Sequence, residues 1–227
     1  MDQELTPRPT ARRPILVGKR LWLAVCMPFF QAIQDLARGA LHLLIWTQGA
    51  KVKLQIAWFP ARVNITIAVM IHAGIGYDVH PLALGRKLIL GGVDIPHRKG
   101  LEGHSDADAL MHAICDALLG ALGEPDIGHF FPNTDPRWKN VPSKIFLAEA
   151  ARIIALRNGK IVNVDATVIA QAPKIYPHIK EMKLCIADAL KINFQHIGIK
   201  ATTNELMGFI GREEGIAAMA VASVDLP

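Results

Sequence analysis

A regular alternation that begins at Met70 is the sequence feature that most constrains the fold. Short segments rich in β-branched residues alternate there with longer segments whose apolar residues have helical spacing. No unit repeats along the chain, and glycines mark several of the boundaries. The alternation therefore predicts a domain that combines helices with strands, without internal repeats.

Turn and capping residues predict the element boundaries. The diglycine at 91–92 predicts a hairpin turn. A helix capped by Ser105 or Asp106 can end at Gly123, and Ser143 can cap a second helix. The predicted strands are 71–79, 87–90, 93–95, 160–170, 197–202 and 216–226, the later helices are 143–157 and 177–190, and a glycine-rich loop spans 208–215.

Residues 1–70 differ from the rest of the chain in charge and composition. They contain nine Lys/Arg and three Asp/Glu, a formal charge of +6, whereas residues 71–227 contain sixteen and seventeen, a charge of −1, so the basic character of the chain belongs to the N-terminal segment. They also hold three of the four tryptophans and no serine. A nucleic-acid-binding function would need a basic face on the main domain, which is close to neutral, so we expect no nucleic-acid partner.

The N-terminal segment carries no convincing targeting or membrane signal. Its longest apolar run, 21–30, contains Pro28 and is shorter than the roughly 20 residues that a membrane span needs, so no membrane partner is expected. The run lacks a signal-peptide cleavage site, and the segment lacks the serines of a transit peptide. We therefore interpret 1–69 as an extension outside the catalytic fold, either poorly folded or translated upstream of a true start at Met70.

The cysteines indicate the compartment. Cys26, Cys115 and Cys185 are an odd number at wide spacing, with no CxxC pair. Neither a disulfide framework nor a thiolate zinc site is indicated, so a reducing compartment is favoured. A cytoplasmic location is expected, with organelle import by the extension as the weaker alternative.

Two short clusters contain residue types that suit a metal ion. Asp78 and His80 are two residues apart near a strand end, which places both on one face, although a turn aspartate beside a surface histidine has the same spacing. In the helix that follows, Asp108, His112 and Asp116 form a stripe at i, i+4 spacing, which a solvated helix face would also show. One aspartate and two histidines without a fourth protein ligand would suit Zn²⁺ with an open position for substrate.

Glycine-rich and strand-end segments predict phosphate or nucleotide contacts. Loop 208–215 offers backbone N–H groups and Arg212, a bidentate phosphate donor, but it matches neither GxGxxG nor the Walker pattern, and a permissive turn is an equal alternative. Segment 170–174 follows a strand and could present backbone groups to a flat base. Thr203 and Glu205 follow another strand and could position phosphate and a hard cation such as Mg²⁺.

These segments belong to an ordered series of motifs. The series is GYDVH (76–80), GGVDIP (91–96), HSDAD (104–108), DIG (126–128), FPNTDP (131–136), AQAPK (170–174), KATTNE (200–205) and GREEG (211–215). It spans nearly all of 71–227, and its order and number make chance a poor explanation. On these motifs the chain resembles the family of 2-C-methyl-D-erythritol 2,4-cyclodiphosphate synthases of the non-mevalonate isoprenoid pathway.

The resemblance implies a fold and a reaction for residues 70–227. The implied fold is α+β, a two-layer sandwich of a mixed four-stranded sheet with helices on one face, assembled as a homotrimer with active sites between subunits. The implied enzyme is a phosphorus–oxygen lyase that converts 4-diphosphocytidyl-2-C-methyl-D-erythritol 2-phosphate to 2-C-methyl-D-erythritol 2,4-cyclodiphosphate and releases CMP. No protein nucleophile is needed, so the residues would position the phosphates and neutralise charge.

The resemblance also implies roles for individual residues. The metal and catalytic residues would be Asp78, His80 and His112 for one Zn²⁺ per active site, Glu205 for Mg²⁺ or Mn²⁺ on the substrate diphosphate, and His104 and Thr203 for the transition state. The substrate-binding residues would be Ser105, Asp126, Ile127, Gly128, Phe131, Pro132, Asn133, Thr134, Asp135, Ala170, Gln171, Ala172, Pro173, Lys174, Ile175, Tyr176, Thr202, Asn204, Phe209 and Arg212. We add Asp116 as an acceptor for the imidazole proton of a metal ligand.

The implied partners are small molecules and further copies of the chain. Segment 170–176 would form the cytosine pocket for the cytidine diphosphate substrate, and Phe209 and Arg212 would lie near the substrate or near an axial cavity of the trimer that could take an isoprenoid diphosphate. Two other functions remain open at this point. One is a trimeric sensor of isoprenoid diphosphates without turnover, and the other is a zinc phosphohydrolase that uses metal-bound water.

Overall fold

The computed structural model describes residues 42–48, 51–58, 61–68 and 70–227, and it divides between residues 69 and 70 into two compact units. In the first unit, the described residues form an antiparallel sheet of three successive strands, β1 (His42–Gln48), β2 (Lys51–Trp58) and β3 (Ala61–Ala68). None of these strands is among the predicted elements, although 51–56 alternates polar and apolar residues. The apolar run 21–30 lies outside the described residues.

The second unit contains the predicted alternation of strands and helices. Its strands are β4 (Met70–Leu84), β5 (Leu88–Leu90), β6 (Val93–Ile95), β7 (Lys99–Leu101), β8 (Lys160–Ile169), β9 (Ile197–Thr202) and β10 (Gly215–Leu226). Its helices are α1 (Ala109–Ala121), α2 (Ile127–Phe130), α3 (Lys144–Leu156), α4 (Ile179–Leu190) and α5 (Gly208–Gly211), with 3₁₀ turns at Pro136–Trp138, Tyr176–His178 and Phe194–His196.

The main sheet of the second unit is mixed, as predicted, but it has one more strand than predicted. Among the described residues its order is β7-β4-β10-β8-β9, and only β8 and β9 pair in parallel. The additional strand, β7, arises because the chain returns after the β5–β6 hairpin and pairs three residues with the end of β4. The same pairing explains why β4 continues to Leu84 rather than ending near residue 79.

Small residues allow α1 to pack closely on the centre of the sheet. Helix α1 contacts β4 and β10, and the buried side chains of β10 beneath it include Ala218 and Ala220. On β4, a Cβ atom added to Gly76 would lie 2.0 Å from the carbonyl oxygen of Ala113. Glycine is therefore required at this position, and the close approach brings the first turn of α1 over the middle of β4.

Asp108, rather than Ser105 or Asp106, caps α1. Its Oδ1 accepts hydrogen bonds from the backbone N–H groups of Met111 (3.0 Å) and Gly91 (2.9 Å), and its Oδ2 accepts one from Gly92 (2.7 Å). Both glycines have positive φ, which fits a tight hairpin turn. Burial raises the pKa of Asp108 to about 6. Asp108, which shares the predicted helical stripe with His112, is therefore a structural residue.

The two faces of the sheet differ. Helix α1 covers one face at β4 and β10, and α3 and α4 pack on β8 and β9. The other face presents a row of exposed apolar side chains, which we call the open sheet face: Ile75, Tyr77, Val79, Met219 and Val221. Tyr77 pairs with Met219 and Ile75 with Val221 across the strands, so the row is continuous. Within the described residues, no helix has the length and apolar character needed to cross a membrane.

Candidate active site

Three predicted metal ligands converge where β4 meets α1. Asp78 and His80 are alternate residues of β4, and His112 lies in the first turn of α1. Oδ2 of Asp78 lies 3.0 Å from Nε2 of His80 and 3.0 Å from Nδ1 of His112, and the two nitrogens are 3.2 Å apart. We call these three side chains the metal cluster, because one ligand atom from each lies within 4.8 Å of the others.

A backbone carbonyl orients the first imidazole. Nδ1 of His80 lies 2.9 Å from the carbonyl oxygen of Glu102. Because a carbonyl can only accept, Nδ1 carries the hydrogen and Nε2 of the neutral ring presents its lone pair to the cluster.

The second imidazole is oriented by hydroxyls, and the prediction that Asp116 accepts an imidazole proton is wrong. Nε2 of His112 faces Oγ of Ser143 at 2.9 Å and Oγ of Ser105 at 3.2 Å. Asp116, one helical turn further along α1, accepts instead from the backbone N–H of Ile127 at 2.7 Å. Burial raises the pKa of Asp116, and this hydrogen bond opposes the shift. Asp116 therefore anchors the start of α2 beside the site.

Interactions within the metal cluster shift the pKa values of Asp78 and His80. Burial would by itself raise the pKa of Asp78, but its close contacts with the imidazoles of His112 and His80 outweigh it and hold that pKa well below its usual range. Burial would lower the pKa of His80, yet its hydrogen bond to Asp78 raises it overall. The carboxylate therefore stays ionised and favours positive charge at the cluster.

The donor set fits a divalent metal ion. One carboxylate oxygen and two imidazole nitrogens meet at one point, and the side chains are only 12–25% exposed. Imidazole nitrogens combined with a carboxylate oxygen bind Zn²⁺ and related ions, and three such ligands leave a coordination position for a substrate oxygen.

A cavity of about 460 Å³ adjoins the metal cluster. It is lined by His80 and His112 and, among the predicted residues, by His104, Ser105 and the segments 127–128 and 131–134. Nε2 of His104 lies 3.0 Å from the carbonyl oxygen of Asp135, which holds the imidazole at the cavity wall. The structure therefore brings together the predicted metal ligands and residues of the HSDAD, DIG and FPNTDP motifs.

One wall of the cavity is aromatic, and two of its members are not among the predicted site residues. The ring centroids of Phe131 and Phe146 are 4.4 Å apart, and that of Trp138 lies 5.1 Å from Phe131. Both Trp138 and Phe146 line the cavity. Their aromatic character was the available signal, but aromatic residues are more often core than pocket. The wall suits the apolar part of a ligand whose polar part faces the metal cluster.

Two predicted carboxylates stand beside the cavity and do not line it. Asp126 caps α2 by accepting from the backbone N–H of His129 at 3.1 Å. Asp135 accepts two hydrogen bonds from the Arg137 guanidinium, at 2.6 and 2.8 Å, and this pairing lowers the pKa of Asp135. In this structure both carboxylates support the local backbone.

A second group of predicted residues lies at the ends of β8 and β9. We call segments 170–176 and 202–206 the nucleotide loops, after the role that the resemblance implies for them. The backbone N–H of Ala170 donates to the carbonyl of Thr202 (3.0 Å), and that of Leu206 donates to Oε1 of Gln171 (3.1 Å), so the two loops are neighbours. The hydroxyl of Thr203 donates to Glu205 at 2.5 Å. None of these residues lines the cavity beside the metal cluster.

Two further predicted residues lie in and after α5. Phe209 is 43% exposed, and the Arg212 guanidinium donates to the Glu214 carboxylate at 2.7 Å, which raises the pKa of Arg212. Neither residue lines the cavity beside the metal cluster.

The fold and the site together define a class of protein, a mixed α+β domain with a candidate metal site of one aspartate and two histidines beside an aromatic-walled pocket. Residues 71–225 match the family model described as the YgbB family, and the chain belongs to this family.

Similar proteins extend this result. The 2-C-methyl-D-erythritol 2,4-cyclodiphosphate synthase of Caldicellulosiruptor bescii is 56% identical over 155 residues, 68% of this chain and 99% of that protein. The bifunctional enzyme IspD/IspF of Granulibacter bethesdensis is 44% identical over 191 residues, 82% of this chain and 50% of that enzyme, so that match reaches into the N-terminal segment. The Plasmodium falciparum IspF structure, a CDP complex, superposes with a TM-score of 0.61 at 38% identity, covering 69% of this chain and 96% of that one.

Proposed function

We infer that this chain is a 2-C-methyl-D-erythritol 2,4-cyclodiphosphate synthase, a lyase of the non-mevalonate isoprenoid pathway. It converts 4-diphosphocytidyl-2-C-methyl-D-erythritol 2-phosphate to the 2,4-cyclodiphosphate and releases CMP. The observation that carries this function is the metal cluster beside the cavity, within a domain that matches the family model over 71–225.

The reaction needs residues that position the substrate phosphates, and it needs no covalent step on the protein. An oxygen of the substrate 2-phosphate forms a bond to the β-phosphorus, the bond from that phosphorus to the bridging oxygen breaks, and the electron pair leaves with CMP. No water is consumed. The chain would hold the two phosphates in line and neutralise their charge. We propose that His104, fixed at the cavity wall through Asp135, stabilises the transition state from one side and Thr203 from the other.

We propose that the metal cluster holds Zn²⁺. Two imidazoles and one carboxylate favour zinc over Mg²⁺, which prefers oxygen ligands. When bound, the ion would supply Lewis-acid polarisation of a phosphate oxygen. Glu205, an exposed carboxylate that accepts a hydrogen bond from the Thr203 hydroxyl, would help to hold Mg²⁺ or Mn²⁺ on the substrate diphosphate.

We propose that the active enzyme is a homotrimer in which one subunit's nucleotide loops face its neighbour's cavity. Two observations support this assembly. The open sheet face leaves Ile75 66% and Tyr77 52% exposed, an apolar row that a neighbouring subunit could cover. The nucleotide loops do not line the cavity of their own chain, although the substrate must reach both.

The same assembly gives the remaining proposals on binding. Segment 170–176 would read cytosine with backbone groups, while Asp126 to Gly128 and Phe131 to Asp135 would contact the ribose and erythritol portions. The open sheet faces of three chains would enclose an axial cavity, where Phe209 and Arg212 could admit an isoprenoid diphosphate.

Two proposals concern the whole chain. Residues 70–227 would suffice for catalysis, because every proposed site residue lies within them. The two cysteines in the described residues, Cys115 and Cys185, are both free thiols, which supports a reducing compartment such as the cytoplasm.

The test is ³¹P NMR of the purified chain with the cytidyl 2-phosphate substrate and Mg²⁺, with and without a zinc chelator. Cyclic diphosphate and CMP that disappear on chelation are expected. A linear phosphate product that incorporates solvent oxygen would instead identify a phosphohydrolase. Tight isoprenoid diphosphate binding without turnover would identify a sensor. If the full chain is inactive, the same assay on residues 70–227 determines whether the N-terminal segment obstructs the site.

A further inference from the structure

The nitrogen of His112 that points away from the metal cluster contacts two buried hydroxyls. Nε2 lies 2.9 Å from Oγ of Ser143 and 3.2 Å from Oγ of Ser105. Ser143 is 1% exposed and Ser105 is 5% exposed. Because water does not reach these groups freely, each hydroxyl proton must be directed at a protein acceptor.

Asp106 determines where the hydroxyl proton of Ser143 points. Its Oδ2 accepts from the backbone N–H of Ser143 at 3.1 Å, and its Oδ1 accepts from the hydroxyl of the same residue. A carboxylate has no hydrogen to give, so the Ser143 proton is committed to Asp106. The oxygen of Ser143 then offers a lone pair to Nε2 of His112, which must carry the hydrogen. Nδ1 lies 3.0 Å from Oδ2 of Asp78 and 3.2 Å from Nε2 of His80, and with the hydrogen on Nε2 it would offer its lone pair to a metal ion at the cluster.

Ser105 has a secondary part in this arrangement. Its Oγ accepts the backbone N–H of Ala107 at 3.1 Å and lies farther from Nε2 than the oxygen of Ser143 does. Its own distance to Oγ of Ser143 is 3.5 Å, at the limit of a hydrogen bond. The direct orientation of the ring therefore depends mainly on Ser143.

The position of Ser143 in the fold supports a role beyond helix capping. Ser143 occupies the N-cap position of α3, the place where its residue type normally bonds the helix N–H groups. Its side chain makes no such bond. The hydroxyl instead forms hydrogen bonds with Asp106 and His112. A serine that the sequence indicates only as a helix cap is therefore also a residue of the site.

We propose that Ser143 and Asp106 are positioning residues that fix the orientation and the proton of the metal ligand His112. The proposal rests on the metal centre proposed above. His80 is held by a backbone carbonyl, which no substitution removes, whereas His112 depends on these two side chains. Partners of this kind orient metal-bound imidazoles and raise their basicity, and losing one costs about 10- to 100-fold in metal affinity.

The test measures Zn²⁺ affinity of the full chain by competition with a chromophoric chelator. Ser143→Ala should bind Zn²⁺ about 10- to 100-fold more weakly than the wild type. Ser143→Thr keeps the hydroxyl and should recover most of that loss. Asp106→Asn should also weaken binding, because its amide can donate to Ser143 and turn the hydroxyl away from His112. Asp188→Asn, at an exposed aspartate of α4, should leave the affinity unchanged.

Thermal unfolding, followed by circular dichroism, identifies the variants that remain folded. A folded Ser143→Ala chain that binds Zn²⁺ within about twofold of the wild type would overturn the proposal, and Asp106→Asn is judged by the same criterion. A measurement on the wild type needs no variant. In ¹⁵N–¹H spectra, His112 should show a hydrogen on Nε2 that is protected from exchange, and its absence would overturn the proposal.

The outcome also separates this inference from the proposed function. If the wild-type protein binds Zn²⁺ but forms no cyclic diphosphate, the proposed function is wrong, and the proposed roles of Ser143 and Asp106 still stand. Wild-type protein that binds no Zn²⁺ would overturn both.

Discussion

The metal cluster and the nucleotide loops are held in different ways. The cluster stands on the middle of β4 and the first turn of α1, and both imidazoles are hydrogen-bonded on their outer side. The nucleotide loops follow the ends of β8 and β9, and Tyr176 and Leu206 within them are 83% and 73% exposed. One chain therefore supplies all three side chains of the metal cluster, which we call the metal half of the site. In our proposal the nucleotide loops, the other half, bind substrate together with a neighbouring subunit.

The difference has a physical reason. Metal ligands must meet at one point with little freedom, so they are placed on regular elements that pack tightly. A base and a phosphate chain can be read by backbone groups on exposed loops, which become ordered further when the ligand binds. The comparison predicts that changes in the metal half will affect metal binding and chemistry, whereas changes in the loops can be complemented by another chain.

The largest effect is expected from His112→Ala. Removing one of three metal ligands should abolish tight Zn²⁺ binding and lower the rate of CMP release by about 10³-fold or more. His196→Ala removes an exposed histidine remote from the cluster in sequence and serves as the matched control, with activity close to wild type. A His112→Ala chain with wild-type turnover would show that the metal assignment is wrong.

Mixed assemblies test whether the two halves come from different chains. His112→Ala and Thr203→Ala chains, each nearly inactive alone, should recover about a quarter of wild-type activity when co-expressed in equal amounts, because about one site in four then combines two intact halves. The measurement is the rate of CMP release by the purified mixture. Activity no higher than the average of the separate variants would place both halves in one chain.

Gly76→Ala tests how far the metal half depends on close packing. The added Cβ would meet the carbonyl oxygen of Ala113 at 2.0 Å and force β4 away from α1. We expect a loss of about 1–3 kcal/mol in the free energy of unfolding, together with weaker Zn²⁺ binding. Gly120→Ala in α1 is the control, since a Cβ atom added there would lie 3.7 Å from its nearest neighbour. This substitution should be neutral or raise the free energy of unfolding by up to about 1 kcal/mol.

The pH dependence of Zn²⁺ binding gives a smaller effect. Because the His80 pKa is raised above 6.5, the ring keeps its proton to higher pH than an ordinary histidine, and zinc must displace that proton. Below the raised pKa, affinity should fall by up to about tenfold per pH unit, while the lowered pKa of Asp78 keeps the carboxylate available. Calorimetric titrations at several pH values measure this slope, and a flat profile between pH 5 and 7 would contradict it.

Local rules predicted part of the site correctly. The two-residue spacing of Asp78 and His80 places them on one face wherever the segment is extended, and the diglycine turn before Val93 follows from its preference for positive φ. The same kind of rule failed for α1. Asp108 and Asp116 share a stripe with His112, but one caps the helix and the other anchors α2. Helical spacing predicts the face of the helix on which a residue lies. It does not predict which backbone N–H groups of other segments lie against that face.

The sequence by itself determined the alternation of strands and helices from Met70, the three residues that form the metal cluster, and the family that its ordered motifs indicate. Only the tertiary structure decided that Ser143 and Asp106 belong beside His112, that Trp138 and Phe146 form the wall of the cavity, and that β7 adds a fifth strand. Each of these contacts joins segments far apart along the chain. Local patterns carry information about conformation over a few residues, whereas such contacts depend on how closely β4, α1 and α3 pack.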